Sequence, residues 1–125
     1  MKKKDYKIIA KKVIELEIKA LKNLKKSINN SFNNAVHAIA KCQSKIIFCG
    51  VGKSSKISAK LSATFSSVGS PSFSLSAGDA SHGDLGSISK KDVLILISYS
   101  GDTHELKNII QYAKRNRIIL IGIVF

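Results

Sequence analysis

Residues 50–55 read Gly-Val-Gly-Lys-Ser-Ser; an apolar run of strand length precedes them and a helical pattern follows. In an open parallel sheet, ligands bind where such a strand ends and the next helix begins. The first N–H groups of that helix can donate to an anion, and the helix dipole favours negative charge there. These residue types therefore predict a site for a phosphate group, beside the plainer interpretation of a tight turn between strand and helix.

Two better-known phosphate loops are excluded by their spacing. A P-loop carries a glycine five residues before its Gly-Lys-Ser, and that position here is Ile47, inside the apolar run. The dinucleotide fingerprint has a third glycine where this chain has Ser55. It also places an acidic residue near the end of the second strand, which here reads Phe-Ser-Leu-Ser. Neither a nucleoside triphosphate nor a dinucleotide is therefore the expected ligand.

Two further polar loops follow the second and third predicted strands. Residues 77–86 hold Ser81, His82 and Asp84, and residues 98–105 read Ser-Tyr-Ser-Gly-Asp-Thr-His-Glu. Singly, such residues can simply stabilise a turn, cap a helix or favour its positive end. Together, hydroxyl groups, helix starts, a lysine, an imidazole and a carboxylate at one edge suit a phosphorylated substrate and a proton transfer.

The elements that position these loops alternate between strand and helix from residue 45 onward. Strand patterns cover residues 45–49, 72–76, 93–97 and 118–125, and helical spacing lies between them. The second of these is short and half polar and follows Pro71, which predicts an edge strand, whereas the others are apolar. This alternation predicts an α/β fold, a doubly wound parallel sheet of about four strands in the order 2-1-3-4, flanked by helices. Two amphipathic helices precede it, so we divide the chain into a helical lead-in, 1–44, and a sheet-bearing part, 45–125. Residues 77–86 are expected to form a long loop.

Composition restricts the partners and the location. The net charge is +13, but residues 1–45 hold 12 of the 21 basic residues, as expected for a solvated helix face. No nucleic-acid recognition motif accompanies them, and no aromatic residues are interleaved with the lysines. No apolar run approaches the roughly 20 residues of a membrane helix, and no export signal is recognisable. We therefore expect a cytoplasmic protein that binds neither nucleic acid nor membrane, and Cys42 and Cys49 lack metal or redox spacing.

The three loops closely resemble those of the sugar isomerase (SIS) domain, and more narrowly those of the D-arabinose 5-phosphate isomerases of lipopolysaccharide and capsule biosynthesis. Residues 80–86, Ala-Ser-His-Gly-Asp-Leu-Gly, carry the most specific part of a resemblance that covers essentially the whole chain. It implies interconversion of D-ribulose 5-phosphate and D-arabinose 5-phosphate, feeding synthesis of the sugar acid Kdo. It also implies that no organic cofactor is needed, and that the protein is a homo-oligomer, typically a tetramer. We predict no metal site.

The resemblance also assigns positions residue by residue. Lys53, His82 and Glu105 match active-site positions, with Glu105 expected to transfer the proton and the other two to polarise the carbonyl. Substrate- and phosphate-binding positions are implied at six further residues: Gly52, Ser54, Ser98, Ser100, Gly101 and Thr103. The chain departs from the family at Tyr99, where asparagine is common, and at Asp102, where glutamate is common.

Length is the larger departure from the family. Its members continue after a strand like 118–125 through another active-site glutamate, a fifth strand, a late histidine and, in most, a pair of CBS modules. We therefore expect a truncated, incomplete SIS fold whose last apolar strand lies at the rim of the sheet. A sugar-phosphate-binding module without catalysis, or an inactive fragment, remains the alternative function, and a nucleic-acid binder is a weaker one.

Overall fold

The computed structural model describes residues 2–81, 83–99 and 104–124. The chain divides into two compact units, Met1–Asn34 and Ala35–Phe125. The first unit contains the long helix α1 (Tyr6–Lys26), and the boundary falls within α2 (Asn30–Ala40). The second unit contains the sheet and the remaining helices.

Polar side chains cap both ends of α1 and the start of α2. The carboxylate of Asp5 accepts a hydrogen bond from the Lys7 N–H at 3.1 Å and starts α1. The Ser27 hydroxyl donates to the carbonyl of Leu24 at 2.7 Å at the other end. The side-chain oxygen of Asn29 then accepts from the Ser31 N–H and starts α2. In the described part of the chain, no helix combines the length and the apolar character needed to cross a membrane.

Four parallel strands form one sheet in the order β2-β1-β3-β4. They are β1 (Ile46–Gly50), β2 (Ser72–Ser76), β3 (Val93–Ser98) and β4 (Ile119–Val124). The two central strands are buried along their whole length, as expected for strands covered on both faces. The predicted fold class and strand order are thereby confirmed.

Helices cover both faces of this sheet. On one face, α3 (Lys53–Ser67) packs with Leu61 and Phe65 against a cluster that includes Phe48 and Ile95. The rings of Phe48 and Phe65 meet edge to face, with centroids 5.1 Å apart. On the other face, α5 (His104–Arg115) buries an apolar stripe against the second cluster, namely Leu106, Ile109 and Ala113. Because helices cover both faces of the parallel sheet, the domain is doubly wound.

Residues 77–86, expected to form a loop, are largely helical, so that prediction is wrong. Ala77–Ser81 form the short helix α4, and Asp84–Ser87 form a 3-10 helix. Ala77 and Ala80 lie three residues apart and are both buried in the cluster that holds Leu106. Packing of these two methyl groups stabilises one helical turn that is too short to give a recognisable periodicity in the sequence.

The two outer strands differ in character. β2 is half polar and follows Pro71, which suits an edge position. β4 is apolar, yet Ile119, Ile123 and Val124 keep about half of their surface exposed, at 51%, 40% and 58%. The expected rim position of this last strand is thereby confirmed.

A buried carboxylate joins the amino ends of the central strands. Asp92, 1% exposed, accepts hydrogen bonds from the Ser44 hydroxyl at 2.6 Å, the Lys45 N–H at 3.0 Å and the Ser89 N–H at 2.7 Å. The Lys45 ammonium lies 3.2 Å from its second oxygen. Burial acts to raise the pKa of Asp92, but these hydrogen bonds outweigh it and lower the pKa from 3.8 to about 2.

We predict that Asp92→Asn lowers the free energy of unfolding by about 2 kcal/mol at neutral pH. The folded-state pKa lies below the unfolded value, so this stabilisation is complete above about pH 4 and is lost as the pH falls towards 2. Urea unfolding across that range should show a steeper acid loss for wild type than for the variant. Asp84→Asn, at an exposed carboxylate, is the control and should keep the wild-type profile. Equal acid profiles for Asp92→Asn and wild type would contradict this role.

Candidate functional site

The candidate site lies at the edge of the sheet where the carboxyl ends of the parallel strands meet, between β1 and β3. From β1 the chain passes through α3 to β2 on one side, and from β3 it passes through α5 to β4 on the other. The two connections diverge, which makes this edge a topological switch point, the usual position of a ligand in such folds. Gly50, the last residue of β1, lies beside Ile97 of β3 in the strand register.

Two glycines shape the turn from β1 into α3. A Cβ atom at Gly50 would lie 2.7 Å from the backbone carbon and oxygen of Ser54, so no side chain fits there. Gly52 caps α3 with φ 58° and ψ −124°, a conformation that other residues rarely adopt. A Cβ atom at Gly52 would meet nothing within 4 Å. The turn is therefore closely packed at Gly50, whereas the space beside Gly52 is open.

Three donors at the start of α3 are available to a ligand. Within the described part of the chain, the backbone N–H and the ammonium of Lys53 and the hydroxyl of Ser54 have no hydrogen-bond partner. Ser55, by contrast, donates its hydroxyl to the Gly52 carbonyl at 2.6 Å. Because Lys53 is exposed and Ser54 half-buried, the donors of these two residues can reach an anion from solvent.

The end of β3 and the start of α5 form the other side of the site. Ser98, the last residue of β3, is buried, and Tyr99, which follows it, is 80% exposed. His104 and Glu105 begin α5 and are both exposed. The structure thus brings four predicted site residues to one edge of the sheet: Gly52, Lys53, Ser54 and Ser98, with Glu105 on the helix that starts beyond it.

Several predicted site residues lie outside the described part of the chain. They are His82, Ser100, Gly101 and Thr103, together with Asp102, at which the chain departs from the family pattern. The segments that flank them are described: α4 contacts α5 on the same face of the sheet, and β3 ends at Ser98.

Charge and burial restrict the chemistry available at this edge. The N-terminal ends of α3 and α5 both favour negative charge, and Lys53 adds a full positive charge. Cys49, inside β1, is fully buried, and burial raises the pKa of its thiol from 9.0 to about 12. It therefore stays protonated and is no nucleophile. Among the described residues, no group of three His, Cys, Asp or Glu side chains could hold a metal ion.

The sequence analysis predicted no role for one residue at this edge. His104 is the first residue of α5, directly before Glu105, and its side chain is exposed. An imidazole beside a candidate carboxylate could have been noticed from their adjacency, but the hydroxyl and acidic residues around it gave the stronger pattern.

The fold and this edge define a doubly wound α/β domain with a candidate ligand site at its topological switch point. The sequence matches the SIS domain over residues 38–124. The chain therefore belongs to the SIS domain family.

Curated relatives cover most of this chain but are much longer. The arabinose 5-phosphate isomerase KdsD of Yersinia pestis is 41% identical over 117 residues, which are 94% of this chain and 36% of that protein. The uncharacterized protein RP505 of Rickettsia prowazekii is 44% identical over 114 residues, again 36% of its length. The chain thus spans about a third of the length of these relatives.

Solved structures share the fold. The structure of Escherichia coli CFT073 c3406 in complex with arabinose 5-phosphate has a TM-score of 0.89 and 40% identity, and the match covers 99% of this chain and 66% of that chain. The phosphoheptose isomerase GmhA of Neisseria gonorrhoeae has a TM-score of 0.76 at 17% identity, a similarity of fold alone.

We predict that Gly50→Ala distorts the turn before α3 and lowers the free energy of unfolding by about 1–3 kcal/mol, because the added methyl group overlaps the Ser54 backbone. Gly86→Ala is the matched control, since a Cβ atom there meets nothing within 4 Å. Urea unfolding of both variants should separate them clearly. A Gly50→Ala protein as stable as Gly86→Ala would show that this close approach does not constrain the turn.

Proposed function

We propose that this chain carries the phosphate- and carbonyl-binding part of a sugar-phosphate isomerase that interconverts D-arabinose 5-phosphate and D-ribulose 5-phosphate. The observation that carries the proposal is that the Lys53 donors and the Ser54 hydroxyl, unpaired among the described residues, lie at the topological switch point, with an exposed Glu105 in the first turn of α5. Similarity to KdsD proteins, and to a solved structure with arabinose 5-phosphate bound, supports this choice of sugar.

The phosphate end of the substrate is assigned to the two helix starts. At the start of α3 the Lys53 N–H has no partner among the described residues, whereas the N–H groups of Ser54 and Ser55 donate to the Val51 and Gly52 carbonyls at 3.1 Å. The helix dipole favours a dianion there, and the Lys53 ammonium supplies a charge-assisted hydrogen bond. Ser54 adds a hydroxyl donor at the α3 start. We assign the same task on the β3 side to the loop that includes Ser98, Ser100, Gly101 and Thr103, and on the α3 side to the open turn at Gly52.

The proton transfer needs a base and an electrophile. Aldose and ketose exchange by moving a proton between C1 and C2 through an enediol, so negative charge develops on the carbonyl oxygen. A carboxylate can move that proton, and we assign this step to Glu105. A cation or a hydrogen-bond donor must stabilise the oxygen, and we assign this to Lys53 and His82.

The wider setting of the reaction follows from the resemblance to the family. We propose that the active protein is a homo-oligomer in the cytoplasm, and that its product feeds Kdo and lipopolysaccharide synthesis. The exposed apolar side chains of β4, among them Ile119 and Ile123, offer a surface that contact with further protein would bury.

A second candidate function is binding of a sugar phosphate without turnover. The chain spans 36% of the length of its curated relatives, so most of each relative lies outside the matched part. Binding and turnover are therefore measured separately in the experiments that follow.

We predict that Lys53→Ala weakens binding of D-arabinose 5-phosphate by roughly 10- to 100-fold, because a charge-assisted hydrogen bond contributes about 1.5–3 kcal/mol. Isothermal titration calorimetry at low salt measures the change. Lys60→Ala is the matched control, because Lys60 is an exposed lysine of the same helix about two turns from its start. Equal affinity in wild type and Lys53→Ala would locate the phosphate elsewhere.

We predict that Glu105→Gln lowers isomerase turnover at least about 100-fold, the usual contribution of a positioned acid or base, while sugar-phosphate binding changes little. A coupled assay for D-ribulose 5-phosphate formation measures turnover, with Glu15→Gln in α1 as the control. Unchanged turnover in Glu105→Gln would remove this residue from the mechanism. Binding by wild type with no turnover would favour the binding-module alternative.

A further inference from the structure

A serine hydroxyl is buried on the side of α3 that faces the sheet. Ser58 is 0% exposed, and it lies one and two helical turns before Leu61 and Phe65, which pack against the cluster that includes Phe48. Residues at this spacing share one face of a helix. A hydroxyl buried among apolar side chains costs free energy unless it is hydrogen-bonded, so its partner decides what it does.

The partner of this hydroxyl lies in the first turn of α3. The Ser58 hydroxyl donates to the carbonyl of Ser54 at 2.9 Å. Such a bond, from a serine to the carbonyl four residues earlier, is made beside the backbone hydrogen bond of the helix and affects the local helix geometry. It therefore acts on the turn at which the candidate anion site begins.

The backbone of Ser54 is also held from the strand side. Its N–H donates to the Val51 carbonyl at 3.1 Å. A Cβ atom at Gly50 would lie 2.7 Å from the carbonyl carbon and oxygen of Ser54, so the end of β1 packs directly against this peptide group. The backbone of Ser54 thus lies between β1 and the Ser58 hydroxyl. The hydroxyl of Ser54 itself has no partner in the described part of the chain.

We propose that Ser58 is a positioning residue, which fixes the first turn of α3 so that the Ser54 hydroxyl is held ready for the phosphate. The inference rests on the proposed function, in which Ser54 donates to the phosphate of the substrate. Ser58 is fully buried and acts only through Ser54. A donor that is already in place when the ligand arrives binds it more tightly, because less ordering is needed on binding.

The same helix contains a matched comparison. Ser62 is 8% exposed, and its hydroxyl donates to the carbonyl of Ala59, also at 2.9 Å. Ala59 lies beyond the first turn of α3, away from the candidate site. Ser62→Ala and Ser58→Ala therefore remove the same kind of buried hydrogen bond from one helix, and they differ in the turn that each bond holds.

The test measures binding of D-arabinose 5-phosphate and of inorganic phosphate by calorimetry on the 125-residue chain. We expect Ser58→Ala to weaken binding of both by about 2- to 10-fold, the equivalent of one neutral hydrogen bond. Ser54→Ala should weaken both by roughly 10-fold or more, since its hydroxyl bonds a charged group. The double variant should bind no more weakly than Ser54→Ala, and Ser62→Ala should bind as wild type does.

Urea unfolding separates positioning from a general loss of stability. Alanine forms helices better than serine, so Ser58→Ala and Ser62→Ala should unfold at similar urea concentrations, close to that of wild type. A Ser58→Ala protein that unfolds far more readily than Ser62→Ala overturns the inference, because the hydroxyl would then support the whole domain.

The binding data separate this inference from the proposed function. Equal affinity of Ser58→Ala and wild type overturns the inference and leaves the proposed function standing. The same holds if the effects of Ser58→Ala and Ser54→Ala add in full in the double variant, because Ser58 would then act independently of Ser54. A loss for the sugar phosphate without a loss for inorganic phosphate also overturns it. Failure of wild type to bind either ligand overturns the proposed function and this inference together.

Discussion

The pairing of β1 with β3 is the constraint on which the rest of the domain depends. Asp92 lies at the amino end of this pair and binds backbone N–H groups from the residues before both strands, Lys45 and Ser89. The Lys45 carbonyl in turn accepts the Val93 N–H at 3.0 Å. With their amino ends joined, the two strands run side by side to Gly50 and Ile97. Contacts at the amino ends of the strands thus help to fix the candidate site at their carboxyl ends.

That pairing also sets where the turn after β1 and the residue after β3 leave the sheet. β1 leads directly into α3 through a turn in which Gly50 leaves no space for a side chain. β3 ends one residue before Tyr99, with its side chains alternating between two packed faces. The donors at the start of α3 and the residue that follows β3 therefore leave the sheet at the same edge. The ends of strands and the starts of helices thus set the positions of the described site residues.

Local patterns predicted most of the fold because each central element carries its own signal. Residues 93–97 are apolar throughout, Pro71 indicates an edge strand, and alternation with helices implies parallel pairing and hence the order of the strands. Asp92 was not recognised, because its partners Ser44 and Lys45 lie 48 and 47 residues away in the sequence. The helix α4 was taken for a loop, since its stability comes from burial of two alanines and not from periodicity.

The candidate site, too, could be predicted from the sequence only in part. Lys53, Ser54 and Glu105 could be placed from the sequence, because helix starts after strands have a fixed position in a parallel sheet. The sequence could not show that the Ser55 hydroxyl is hydrogen-bonded while the Ser54 hydroxyl remains available. Side-chain hydrogen bonds of this kind depend on local geometry. The exposure of Tyr99 likewise depends on what packs beside it.

The strand order has a consequence for how the chain folds. β1 and β3 are neighbours in the sheet, yet the paired residues Ile46 and Val93 are separated by α3, β2 and α4 in the sequence. The central pair can close only after a long stretch of chain has been ordered, and such non-local contacts slow folding. Until then, the apolar residues of both central strands are exposed in the same molecule. Newly synthesised chains are therefore most prone to aggregation before β1 pairs with β3. Chaperones that shield apolar segments would act at that stage.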